Sequence, residues 1–274
     1  MSINLRILLV MMVLNSMGSI QPITAQTISF SPTRVFFEGN PEETVTEIIT
    51  ISNSGKDTYE FIVHIQDWKR DSLGNKLYFP MATLPNSNAK YIGLSTTNLK
   101  VEPGERKTFP ISISIPKEVN SSSTNSMLFF TQTNALEPNT KGKSGMGIKT
   151  SLELGIQLFY TPHETKIGDL DFLAFEHQNE TVQGKQVKRL AIKLKNTGEV
   201  NKDSFIKFEL TNKLTGEEIK IKSIPIAIMP LDYQWVYCPI ADTLAEGEYL
   251  AVAILESGAD NNLKVAEKNI YVKK

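Results

Sequence analysis

The side chains in this sequence that could move a proton, hold a metal or attack a carbonyl are few. They are the three histidines His64, His163 and His177, the one cysteine Cys238, and the acidic pairs Glu42-Glu43 and Glu217-Glu218. The histidines are isolated, so the H-x-x-x-H and H-E-x-x-H spacings that set two imidazoles on one helix face are missing, and no metal site is expected. Cys238 lies in the apolar run Y-Q-W-V-Y-C-P, where a thiol is an inert core group and not a nucleophile. The acidic pairs flank turns and read as solvated loop charges. No G-x-S-x-G elbow, G-x-G-x-x-G or phosphate-cradling G-x-x-x-x-G-K occurs, so no nucleophile, base and orienting group can be assembled. The expectation is a protein that is not an enzyme and needs no cofactor.

Binding chemistry is better represented than catalytic chemistry. Trp68, in Q-D-W-K-R, and Trp235, in Y-Q-W-V-Y, are each able to line a sugar or peptide surface, or to pack inside a sandwich. Trp68 is the stronger surface-binding candidate because Lys69, Arg70 and Asp71 follow it. A net charge of -1 over 274 residues supplies no polyelectrolyte attraction to nucleic acid or to an anionic membrane.

The elements that would position these groups read as strands. Met146 to Pro162 holds the longest clean alternation: Ile148, Thr150, Leu152, Leu154, Ile156 and Leu158 share one parity, and Lys149, Ser151, Glu153, Gly155 and Gln157 the other. That period of two predicts a long, half-buried strand ending at Pro162, where the character of the chain changes. Upstream, Val45 to Ile51, Tyr59 to Ile65, Phe109 to Ile115 and Ser126 to Thr133 alternate between turn signals such as N-S-G and E-P-G. About seven such strands with turns between them predict an antiparallel sandwich. Pro110 cannot donate to a ladder, which predicts an edge or bulge there.

A second set of strands begins after Ile167, and the two halves echo each other. I-T-I-S-N-S-G-K-D-T-Y-E-F-I and I-K-L-K-N-T-G-E-V-N-K-D-S-F-I share apolar spacing and an Asn-x-Gly turn. The expected fold class is therefore all-β, with two Ig-like antiparallel β-sandwich domains in tandem, at 26–162 and 163–274. Residues 1–25 read as a signal peptide: Arg6, then the apolar run Ile7 to Leu14, then small residues to Ala25, near which cleavage is expected. Asn15, Ser16 and Gln21 interrupt the apolar run well short of the roughly 20 residues of a spanning helix. The expected product is exported, periplasmic or secreted, with no membrane anchor in the mature chain. A single cysteine rules out an internal disulfide, so both cores must hold without one.

Several of these stretches carry a resemblance. S-P-T-R-V-F-F-E-G, I-S-N-S-G, V-E-P-G-E-R-K-T-F-P-I-S-I-S-I-P, S-M-L-F-F-T-Q-T-N and I-Q-L-F-Y-T-P resemble, in the same order, the N-terminal domain of the periplasmic pilus-assembly (PapD-like) chaperones, over roughly half of the chain. The resemblance implies two sandwiches, a protein client that is pilin-like or another β-rich exported subunit, and binding by strand addition. It also implies that a basic pair grips the client's C-terminal carboxylate while the last strand of the first domain lends its alternating apolar side chains. On this sequence Arg34 matches the first basic anchor, and Ile148, Leu152, Leu154 and Ile156 are the candidate donor-strand residues. The second basic anchor is missing, because the family's lysine falls on Gly155. Cell-wall proteins that pair with WxL-type surface proteins offer a second resemblance, but they end in a membrane helix that is not found before Lys274. A rival reading is an exported adhesive or scaffold module that recognises glycan or peptide through Trp68.

Overall fold

The computed structural model describes residues 27–118, 121–135, 150–182, 185–257 and 262–273. The expected signal segment and Ile148 lie outside the described residues.

Among the described residues ten strands build the first half: β1 (Ile28–Ser31), β2 (Arg34–Phe37), β3 (Thr44–Asn53), β4 (Tyr59–Arg70), β5 (Lys76–Phe79), β6 (Ile92–Leu94), β7 (Asn98–Val101), β8 (Arg106–Ser114), β9 (Thr124–Gln132) and β10 (Glu153–Tyr160). One sheet runs β1-β3-β8-β6; the other runs β2-β10-β9-β4-β5, with β7 also on β4. The stretch from Ile28 to Phe37 is thus divided between the sheets. β1 pairs antiparallel with β3, and β2, beyond the cis Ser31–Pro32 bond, pairs parallel with β10. The inward parities meet in one core containing Ile49, Ile51, Phe61, Phe109, Ile111, Phe130, Ile156 and Leu158, all at 1% exposure or less. Such burial is the dominant stabilising term, on the order of 2 kcal/mol per large apolar side chain. The expected edge at Pro110 is present, since β6 covers β8 only over Ile111–Ile113.

Among the described residues eight strands build the second half: β11 (Leu170–Val182), β12 (Lys185–Asn196), β13 (Lys202–Asn212), β14 (Glu218–Lys220), β15 (Ile224–Ile228), β16 (Tyr233–Pro239), β17 (Gly247–Ser257) and β18 (Asn262–Val272). They form a β11-β12-β16 sheet and a β14-β13-β17-β18 sheet, with β15 on β13. Leu190, Ile192, Leu194, Phe208, Val236, Cys238 and Leu255 fill the space between them. The architecture is two Ig-like antiparallel sandwiches in tandem.

The sequence echo has a structural counterpart. Asn53 and Asn196 are both buried at strand ends. The Asn53 amide donates to the carbonyls of Asp57, Val101 and Glu102 and accepts from Gly55 N–H. Asn196 donates to those of Val200, Ile228 and Met229 and accepts from Gly198 N–H. A buried amide with its donors and acceptor all used is inexpensive, whereas a truncated one would orphan several carbonyls. In each sandwich this asparagine ties the turn that ends its strand to a neighbouring strand.

The halves touch through specific groups. Ser123 N–H donates to Glu199 O at 2.8 Å, Ser121 Oγ to Glu199 Oε1 at 2.9 Å, and Trp235 N–H to Ser72 O at 2.7 Å. Met229 of the second half completes a small apolar cluster with Trp68, Met127, Phe129 and Phe159 of the first.

Candidate functional site: the open edge of β10 and the cleft beside it

β10 is held on one side by β9 along its whole length, from Glu153↔Thr131 to Tyr160↔Thr124. On the other side β2 covers only Gln157 to Tyr160. Among the described residues no strand pairs with Glu153–Ile156 on that side, which leaves a length of sheet edge open next to a paired length. Ladder groups alternate along a strand. Gln157 N–H donates to Thr33 O, toward β2, while Gln132 N–H donates to Leu152 O, on the β9 side. The N–H and C=O of Glu153 and Gly155 therefore point into this lane, where no strand among the described residues pairs with them.

The alternation expected from Met146 onward becomes regular ladder only at Glu153. Just before it, side chains replace ladder bonds: Ser151 Oγ donates to Gln132 O at 2.8 Å, and Leu152 N–H donates to Gln132 Oε1 at 3.2 Å. Local side-chain bonds of this kind compete with regular pairing.

The candidate donor residues divide. Leu152 and Leu154 are half-buried, and Leu152 packs against the rim of the first core. Ile156, by contrast, is 1% exposed inside the core of its own domain, so it cannot be lent to another fold. Its inward position follows from parity, and β2 beginning one residue later closes the sandwich over it.

Arg34 opens β2, and its guanidinium is paired with the carboxylate of Asp203 on β13, across the cleft between the sandwiches. The residue registered beside Arg34 is Gln157. The position that decides a second anchor on β10 is therefore Gln157, two residues beyond Gly155. Gly155 has a different constraint: a Cβ there would sit 3.1 Å from Met127 Sδ and 3.1 Å from Phe129 Cε1. A bare backbone at that place lets those side chains lie across β10, and glycine in a strand suits the close approach of another backbone.

Trp68 is not a surface ligand. It is 1% exposed, its Nε1 donates to Ser126 O at 3.0 Å, and it packs edge-on against Phe159 at 6.0 Å. Of the flanking cations that marked it out in the sequence, Lys69 lies over Phe79 at 5.5 Å, while Arg70 lies over the Trp68 ring, as does Lys76, each at 5.6 Å. Burial, the largest cause, lowers the pKa of both cations, and repulsion among Arg34, Arg70 and Lys76 adds to it. Asp203 opposes that shift.

Asp67 was missed by sequence reading. Its carboxylate is fully buried and accepts from the N–H groups of Ala82, Thr83 and Leu84, at 3.1, 2.7 and 2.7 Å, and from Ser87 Oγ at 2.6 Å. It fixes the long connection after β5. An acidic residue beside a tryptophan gave no warning of this, because the partners lie 15 to 20 residues away.

No family model matches the sequence, and no curated protein does. Solved structures do resemble the fold. The YadV chaperone is 13% identical with a TM-score of 0.48, over 90% of this chain and 100% of that one. The CsuC–CsuE chaperone–tip adhesion subunit pre-assembly complex from Acinetobacter baumannii gives 14% and 0.47, over 88% and 98%. The Salmonella enterica SafB chaperone in complex with the SafA pilin gives 10% and 0.46, over 91% and 98%.

Proposed function

We propose that this chain is an exported, non-enzymatic protein of pilus-chaperone type, which holds a β-rich client subunit in the periplasm by strand addition along β10. The observation that carries this reading is the half-covered edge of β10. Glu153 and Gly155 offer two N–H and two C=O groups to a new neighbour on that side, and at about 1 kcal/mol net for each ladder bond they supply about 4 kcal/mol. The apolar side chains of Leu152 and Leu154 sit at the same place, half-buried, where a client's core side chains could meet them. β2 runs parallel to β10 and begins at Arg34. A client strand that enters the same lane in the same direction must end where β2 begins, with its terminal carboxylate against Arg34. Long unpaired edges invite aggregation, and here the open length is short and next to a half-exposed cation, as a managed edge is.

The adhesive reading rested on Trp68, and the burial of that ring removes its residue. The test is capture of a client from periplasmic extract by tagged protein, with hydrogen exchange measured in the isolated complex. Slowed exchange at the amides of Glu153 and Gly155 is expected, together with loss of capture by Leu152→Glu/Leu154→Glu at unchanged circular dichroism. A captured client that leaves both amides exchanging as in the free protein refutes strand addition.

A further inference from the structure

The cleft beside Arg34 holds a second guanidinium that neither the sequence motifs nor the resemblance pointed to. Resting on the strand-addition reading, we propose that Arg70, at the end of β4, is the second cation of the carboxylate site. Arg34 and Arg70 together receive the C-terminal carboxylate of the added strand, in the place that Asp203 occupies in the free protein.

Both arginines and Asp203 line a cavity of about 80 Å3 that also reaches Gln157, and a neighbouring one of about 450 Å3 that extends under the β4–β5 turn. Arg70 is steered there by its own bond, Nη1 to Gly74 O at 2.6 Å, and by the ring of Trp68 beneath it. One further donor in the larger cavity is unspent. Ser204 Oγ is buried, at 7% residue exposure, with no hydrogen-bond partner among the described residues. Arg34 and Arg70 line both cavities with Asp203, Lys76 adds its charge from over the Trp68 ring, and burial disfavours the charged form of Arg70 and Lys76. A site with excess, partly desolvated positive charge and an unspent hydroxyl donor gains most from an anion. Asp203 is a weak occupant. The pair it makes with Arg34 is 38% and 49% exposed, in the range where ion pairs contribute little, so an incoming carboxylate displaces it at small cost. This geometry also explains how β10 can carry Gln157 in place of a cation: the second charge comes from β4.

The proposal is tested on the full mature chain with two probes, by NMR of the arginine Nε–Hε signals and the backbone amides. N-acetylvaline, too short to pair with a strand, reports the anion site alone. The peptide acetyl-Val-Thr-Val-Thr-Val, with a free C-terminal carboxylate or as the amide, reports the site and the edge together. N-acetylvaline is expected to shift the signals of Arg34 and Arg70 with one shared Kd. The free-acid peptide is expected to bind about tenfold more tightly than the amide, and Arg70→Gln to cut that preference to about threefold, the part that Arg34 alone supplies. Asp203→Asn should tighten binding of the acid, and Arg70→Lys, which keeps the charge without the planar fork, should fall between. Melting temperature separates these effects from loss of the bond to Gly74. An unshifted Arg70 signal with N-acetylvaline, or an acid–amide preference undiminished in Arg70→Gln, overturns the proposal. If neither peptide perturbs the amides of Glu153 and Gly155, strand addition itself fails, whatever the arginine signals do.

Discussion

Replacing Glu153 by proline separates the edge of β10 from the rest of the fold. In the free protein the N–H of Glu153 points into the open lane, so proline removes no β9 ladder bond, and an edge position tolerates the ring. The substitution does remove the hydrogen bond from Thr131 Oγ1 to Glu153 Oε2, an exposed bond of 2.7 Å, worth less than about 1 kcal/mol. In the complex the same change removes one of the four ladder bonds and sets the ring where the partner's carbonyl oxygen must lie, about 2.9 Å from the nitrogen of residue 153. A buried carbonyl without its donor costs about 1–3 kcal/mol, which corresponds to a Kd weakened about 5- to 150-fold. The assay is calorimetric titration of the purified client into wild type and Glu153→Pro, with thermal melting of both free proteins. Affinity within a factor of two of wild type, at a melting temperature shifted by only a few degrees, would refute a client strand in that lane. A large fall in melting temperature would instead show that the N–H of Glu153 already has a partner in the free protein.

Three further outcomes test the frame around the site. Asp67→Ala leaves three backbone N–H groups and the Ser87 hydroxyl without their acceptor; stability measured by urea unfolding is expected to fall by about 3 kcal/mol or more, while Asp67→Asn, which retains one oxygen, costs less. Trp68→Ala empties the cluster that Met229 completes and removes the bond from Nε1 to Ser126 O, so a loss of about 3–5 kcal/mol is expected; an unchanged melting temperature together with lost glycan binding would restore the adhesive reading. Burial pushes the Cys238 thiol up to about 11. Thiol reagents are therefore expected to label it at pH 8 only on unfolding. Between about pH 9 and 11 the unfolded chain sheds a proton that the folded one keeps, so stability should fall as pH rises through that window. Rapid labelling of the native protein would show that the second core opens locally.

Pattern alone carried most of the architecture. Period-two alternation identified the main strands of both sandwiches, because one face of each is stabilised by burial and the other by water. The paired Asn-x-Gly turns announced the internal echo that Asn53 and Asn196 bear out through matching hydrogen bonds. Arg34 was also legible, as a motif match, though its partner was not. The remaining features depend on distances that parity does not encode. Ile156 and Leu154 read alike in sequence, yet only Ile156 lies where β2 closes the sandwich, so one is core and the other rim. Trp68 and its basic neighbours looked like an exposed patch until the sheet face they share turned toward the second domain. The register of β2 on β10 set Gln157, not Gly155, beside Arg34. Asp203 and Arg70 come within its reach from residues 169 and 36 positions further along the chain, since a cleft between two domains is made by packing and has no period of its own. The sequence by itself determined two β-sandwiches and an apolar strand at their junction. Only the tertiary structure decided which length of that strand is open and which charges stand at its end.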